Sequence, residues 1–172
     1  MKTLITLLLM VPALAMAQLI ADLPKNANDE IFAERIIEAP GKSASELHNL
    51  AQQFVVKRYG AMSIDLNDQA NNLVLIRWRE KTHNSFSGYN LWFDLKIECR
   101  DEKCRASISD ILFTESNSLR KIHPSEFFSI KKFYRNDKPR KYNEVLRKNT
   151  VDIINEILDA TQNALQQHES TW

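Results

Sequence analysis

The segment from Tyr89 to Phe113 limits the fold more than any other part of the chain. From Tyr89 to Cys99 the side chains alternate. Tyr89, Leu91, Phe93, Leu95 and Ile97 share one parity, and Asn90, Asp94, Lys96 and Glu98 the other. A period of two sends successive side chains to opposite faces, so this run predicts a strand with one buried face. Cys104 to Phe113 is a second strand-like run, separated from the first by Arg100-Asp101-Glu102-Lys103. So short a polar connection predicts an antiparallel hairpin. If Cys99 opposes Cys104, then Ile97 opposes Ala106, Leu95 opposes Ile108, and Glu98 meets Arg105 on the far face. That register keeps the apolar sets together. Its one conflict is Asp110, which falls on the core face opposite Phe93. Either a bulge there turns Ile111 and Phe113 inward, or a partner satisfies the carboxylate.

Cys99 and Cys104 are the two cysteines of the sequence. Directly opposed hairpin residues stand within disulfide distance, so a structural disulfide is the favoured reading, with free thiols as the alternative. Two thiolates without a neighbouring His or Cys pair cannot complete a tetrahedral metal shell. Their four-residue spacing is not that of a redox C-x-x-C. In so small a loop the bond is expected to pin the register rather than add much stability.

Residues 1–17 (MKTLITLLLMVPALAMA) read as an export signal. Lys2 precedes an apolar stretch from Leu4 to Leu14, and Ala15-Met16-Ala17 supplies the small residues for cleavage after Ala17. The stretch is shorter than the roughly 20 residues that cross a bilayer. No transmembrane span is expected after cleavage, and the mature chain is expected in the periplasm or outside the cell. An oxidising compartment favours the disulfide.

Residues 18–30 are polar and aperiodic and predict a flexible lead-in; residues 31–168 predict a single domain. Ile31 to Glu38 reads as a strand ended by Pro40-Gly41. Ser43 with Glu46 forms a capping-box pattern, and Leu47, Leu50, Ala51, Phe54 and Val55 follow at helical spacing. Gly60 closes that helix after Lys57-Arg58. Met62 to Leu66 either pairs or only leads in, and Leu73 to Arg79 is a strand. A long helix runs from Tyr142 to about His168, with Val145, Leu146, Ile153, Ile154, Ile157, Leu158 and Leu165 on its apolar face. The order β-α-β-β-β-α predicts an α+β fold: an antiparallel sheet of about four strands with two helices packed on one face.

These elements resemble a family of exported bacterial proteins, of a type found in Bacteroidetes, of unknown function and with a TATA-binding-protein-like fold. The resemblance rests on the export signal, the strand–Pro-Gly–SASELHNLAQQFV helix, the GYNLWFDLKIECRDEKCRASISDILF hairpin and the FYRNDKPRKYNE entry into the last helix. It implies a strongly bent antiparallel sheet with helices on its convex side. It implies no activity and carries over no catalytic residues. The cysteine pair is not a feature of the family as a whole.

Motif searches exclude several chemistries. The three glycines, Gly41, Gly60 and Gly88, cannot form a phosphate-cradling loop, and no Ser lies in G-x-S-x-G. His48, His83, His123 and His168 stand singly and read as surface residues. Asp65-x-Asn67-x-Gln69 lacks the Gly and closing Glu of a calcium loop and reads as a polar turn. No cofactor and no metal are expected, and the sequence leans away from an enzyme.

With 23 basic and 22 acidic residues, the chain is close to neutral and lacks the field that draws a protein to nucleic acid. The charge is unevenly placed. Arg120 to Lys141 holds eight basic residues against two acidic ones, a net of +6, with Phe127, Phe128, Ile130, Phe133 and Tyr134 interleaved. The second half of the last helix has Asp152, Glu156, Asp159 and Glu169 and no Lys or Arg. Lys131, Lys132, Arg135, Lys138, Arg140 and Lys141 are thus candidates to face an anionic envelope component. In the alternative they belong to a solvated loop that balances the acidic helix.

The hairpin register also sets Trp92 opposite Ile111 on the face away from the core, where Trp78 joins them if its strand is adjacent. This patch is a candidate contact site. It is otherwise covered by residues 116–141, or its tryptophans lie in the main core. The leading functional expectation is an exported, small, non-catalytic binding module for an unidentified protein or envelope partner. The runner-up is a hydrolase of envelope or other polymer with carboxylates that the sequence does not place. A third reading is a purely structural accessory domain.

Overall fold

The alternation of Tyr89–Cys99 becomes half of a long ladder in the computed structural model, which describes residues 22–28, 30–116, 120–128, 134–135 and 138–166. Strands β1 (Ala33–Glu38), β2 (Ile64–Asp68), β3 (Leu73–His83), β4 (Gly88–Arg100), β5 (Lys103–Glu115) and β6 (Lys121–Ile122) form one antiparallel sheet. Their spatial order is β1-β5-β4-β3-β2, with β6 on β5 beyond the end of β1. Helix α1 (Ala44–Tyr59) follows β1. A short helix α2 (Ser125–Phe128), a two-stranded ribbon of β7 (Tyr134–Arg135) and β8 (Lys138–Pro139), and helix α3 (Lys141–Gln166) follow β6. The expected export signal, residues 1–17, lies outside the described residues, as do Lys131, Lys132 and His168.

The α+β class holds, with six strands in the sheet rather than about four. Met62–Leu66 does more than lead in, since β2 pairs Leu66 with Leu75 and Asp68 with Leu73. The sixth strand is only Lys121–Ile122, too short to carry a periodicity.

The predicted lower register is present: Cys99 opposes Cys104, Ile97 opposes Ala106, and Leu95 opposes Ile108. Cys99 and Cys104 are joined as a disulfide. The connection is tighter than expected, because Arg100 pairs with Lys103 and leaves Asp101-Glu102 as the turn, with Glu102 at positive φ. This turn holds the start of α1. Ala39 N donates to Glu102 O at 2.7 Å, Glu102 N donates to Lys42 O at 2.8 Å, and Ala44 N donates to Asp101 Oδ1 at 2.9 Å. The capping box closes as predicted, with Glu46 Oε2 accepting from Ser43 N at 2.7 Å. Those bonds hold the Glu46 carboxyl below its ordinary range.

Both long helices lie on one face of the sheet. Leu47, Ala51 and Val55 of α1 and Leu146, Ile154 and Leu158 of α3 join Ile76, Phe93, Leu95, Ile97 and Ile108 in a single core. The expectation for His48 needs correction: it is 2% exposed, because it continues the inward row of Ala51 and Val55. The connector also turns inward. Phe127 packs edge-on against Tyr89 and Phe113 at 5.3 and 5.5 Å, so its ring extends the core.

Replacing both cysteines (Cys99→Ser with Cys104→Ser) is expected to lower stability by about 2 kcal/mol or less and to leave the sheet intact. Urea unfolding checks this. A loss above about 4 kcal/mol would sink the view that the bond mainly pins register.

Candidate interaction face

The face of the sheet away from the helices is where the charged parity of each strand gathers. A bulge decides its composition. Below the bulge Asp94 pairs with Ser109, and above it Trp92 pairs with Leu112. Phe93 therefore spans two residues of β5, and Asp110 takes up the excess at φ 51 with its side chain exposed. Asp is among the few non-glycine residues that enter this region readily. The conflict at Asp110 is resolved by the bulge, not by a buried partner.

The proposed patch is accordingly corrected. Ile111 is 5% exposed and belongs to the core; the residue beside Trp92 is Leu112. Trp78 also faces the helices. It shares its parity with Val74 and Ile76, pairs with Phe93, and lies 5.5 Å from the Tyr59 ring of α1. Only Trp92 of the three occupies the outer face, half-buried, with its Nε1 donating to Thr114 Oγ1 at 3.2 Å.

Around it stand groups from three strands. The Arg79 guanidinium lies over the Trp92 ring at 5.5 Å from the centroid. Lys81 sits opposite Asn90 two pairs further along, on the same face. Arg77 holds Asp94 in a two-pronged ion pair at 2.7 and 2.8 Å, which raises the Arg77 pKa. Below, Glu98 lies between Lys96 and Arg105 at 3.0 and 2.8 Å and is held below its ordinary carboxylate range, although partial burial opposes this. Leu66 and Ile36 remain exposed at the two sides of the face. Arg77, Arg79 and Lys81 were missed as a group because the predicted strand stopped at Arg79. Their shared odd parity was the available signal.

Of the candidate anion-facing connector residues, Arg140 and Lys141 are the two whose side chains are described. Arg140 is half-buried and donates to Tyr142 Oη at 2.7 Å, and Lys141 is exposed at the start of α3. Arg135 and Lys138 are paired positions of the β7–β8 ribbon. The acidic half of α3 takes cations from elsewhere: Asp159 pairs with Arg35 of β1, and Glu156 with Arg58 of α1.

Two shallow depressions accompany the sheet. One of about 800 Å³ lies beside the disulfide turn and includes Asn72, Glu98, Arg100 and Lys103. The other, about 430 Å³, lies at the bulge and includes Glu30, Asp110 and His123. Burial pushes the Glu80 carboxyl above its ordinary range, but Glu80 lines neither depression. Among the described residues no group of three or more His, Cys, Asp or Glu comes together to hold a metal, and no helix is long and apolar enough to cross a membrane.

An antiparallel sheet with both long helices on one face defines an α+β protein of TBP-like fold. Within it, residues 34–114, from β1 through most of β5, match the family described as "Domain of unknown function (DUF4468) with TBP-like fold". The matched stretch includes β1, α1 and the β4–β5 hairpin, segments on which the resemblance rests. The chain is similar to the crystal structure of a DUF4468 family protein from Bacteroides ovatus, with a TM-score of 0.68 at 14% identity, covering 90% of this chain and 96% of that one. It is also similar to a TBP-like protein from Parabacteroides distasonis, with a TM-score of 0.71 at 13% identity, covering 86% and 99%. At such identities the likeness is one of fold. No curated protein matches the sequence.

Proposed function

We propose that the chain is an exported, non-catalytic binding module that presents the outer face of its sheet to a protein or envelope partner, residues 1–17 being its cleaved signal. The observation that carries this reading is the placement of Arg79 and Lys81 beside Trp92 on the helix-free face. An indole with adjacent cations supplies contact area and directed charge, the chemistry of an interaction site. Fold likeness to a DNA-binding protein adds nothing to this, since function resides in sites rather than in folds.

The test is capture from the native envelope fraction using wild type, Arg79→Glu and Trp92→Ala. Arg79 is exposed, and its reversal is expected to change stability by no more than about 0.5 kcal/mol. Trp92→Ala is expected to cost about 2 kcal/mol through lost burial and one hydrogen bond. Loss of a captured partner by Arg79→Glu at unchanged Tm supports the reading. Unchanged partners in both variants would sink it.

A further inference from the structure

The upper part of β3 is paired on one side only. β4 accompanies β3 from Leu73 to His83, whereas β2 meets it only from Leu73 to Ile76. Among the described residues, Arg77–His83 is therefore a sheet edge, with the His83 carbonyl at its far end accepting from Asn149 Nδ2 of α3 at 2.9 Å. Along the edge Trp78, Glu80 and Thr82 point toward the helices, and Arg77, Arg79 and Lys81 point to the outer face. Arg77 is neutralised by Asp94, while Arg79 and Lys81 have no carboxylate partner among the described residues.

A row of exposed cations protects an edge against copies of itself, because pairing β3 with β3 would bring like charges together. The same row is complementary to a strand of opposite charge. We infer that the Arg77–His83 edge accepts an extended acidic segment of a partner protein as an added β-strand. This inference rests on the outer-face reading and names its partner chemistry. Backbone hydrogen bonds to the edge supply the attachment, and alternate side chains supply the selectivity. Carboxylates at every second position would lie over Arg79 and Lys81. The positions between them would lie beside Trp78, Glu80 and Thr82, where a β-branched residue fits and a further carboxylate is repelled by Glu80.

The probe is a short labelled peptide alternating Glu with Val, followed by fluorescence anisotropy with the full chain. Binding is expected, with slowed amide exchange in Arg77–His83. Arg79→Glu with Lys81→Glu is expected to weaken it about tenfold at unchanged Tm. A peptide with Lys in place of Glu, and one with Pro at the central Val positions, are expected not to bind. Equal binding of the Pro peptide, or protection confined to another strand, would overturn strand addition. Absence of binding by the Glu–Val peptide would overturn the inference too. The outer-face reading would still stand if Arg79→Glu abolished capture of the native partner, so the two failures are distinguishable.

Discussion

Phe113→Ala is expected to lower the unfolding free energy by about 3–5 kcal/mol, the cost of emptying a fully buried aromatic site. Phe113 is 0% exposed, pairs with Ile122 of β6, and lies 5.5 and 6.0 Å from the rings of Phe127 and Phe128. Asn143 of α3 donates to the Phe127 carbonyl at 2.9 Å, so this ring cluster ties sheet, connector and last helix together. In a chain of this size the expected fall in Tm is about 10 °C. The control is Leu112→Ala, half-buried on the outer face, with an expected loss of about 1 kcal/mol. The contrast tests the bulge directly. An unbroken alternation from Cys104 would place Leu112 in the core and Phe113 outside. Thermal melts in which Leu112→Ala costs more than Phe113→Ala would overturn the register described here.

That register was partly legible in the chain, and the manner of its failure is informative. Below Phe93 the two parities agree across the hairpin, so pairing followed from alternation alone. Above it, Asp110 announced a conflict, and a polar residue on a core parity is a usable signal for a bulge. Past the bulge the unbroken register assigns Ile111 to the outer face, whereas the chain turns it into the core. Trp78 was misplaced for a different reason. LVLI is apolar at both parities and does not say which way the strand faces, whereas Arg77, Arg79 and Lys81 do. Extending the strand to His83 puts Trp78 inside with Ile76 and assembles the cationic row. His48 was readable as well, since His48, Ala51, Val55 and Tyr59 repeat at spacings of three and four. The inward turn of Phe127 and Phe128 was not. It depends on a two-residue strand and a one-turn helix, neither long enough to carry a hydrophobic period.

Asp159→Ala is expected to destabilise the fold by about 2–3 kcal/mol, and Arg35→Met to be neutral or stabilising. The reasoning starts from parity. Ala33, Arg35 and Ile37 share the inward face of β1, so an arginine stands where an apolar residue would serve. Its Nη1 donates to Asp159 Oδ1 at 2.5 Å and to Gln162 Oε1 at 3.3 Å, while Nη2 is buried without a partner among the described residues. Removing the carboxylate leaves a desolvated guanidinium with one amide acceptor. Fully buried pairs lose about 3–5 kcal/mol in this way. The figure is reduced here because the Asp159 side chain is 44% exposed, so water reaches the site once the carboxylate is gone. Replacing Arg35 by methionine removes the charge that must be desolvated and keeps the apolar stem, and such exchanges commonly cost nothing. Urea unfolding of both single variants and the double variant checks the asymmetry. With methionine at position 35, loss of Asp159 is expected to cost less than about 0.5 kcal/mol, as for an exposed residue. An Arg35→Met loss as large as that of Asp159→Ala would mean that the ion pair itself stabilises the junction of β1 and α3, and that the arginine is there for its charge.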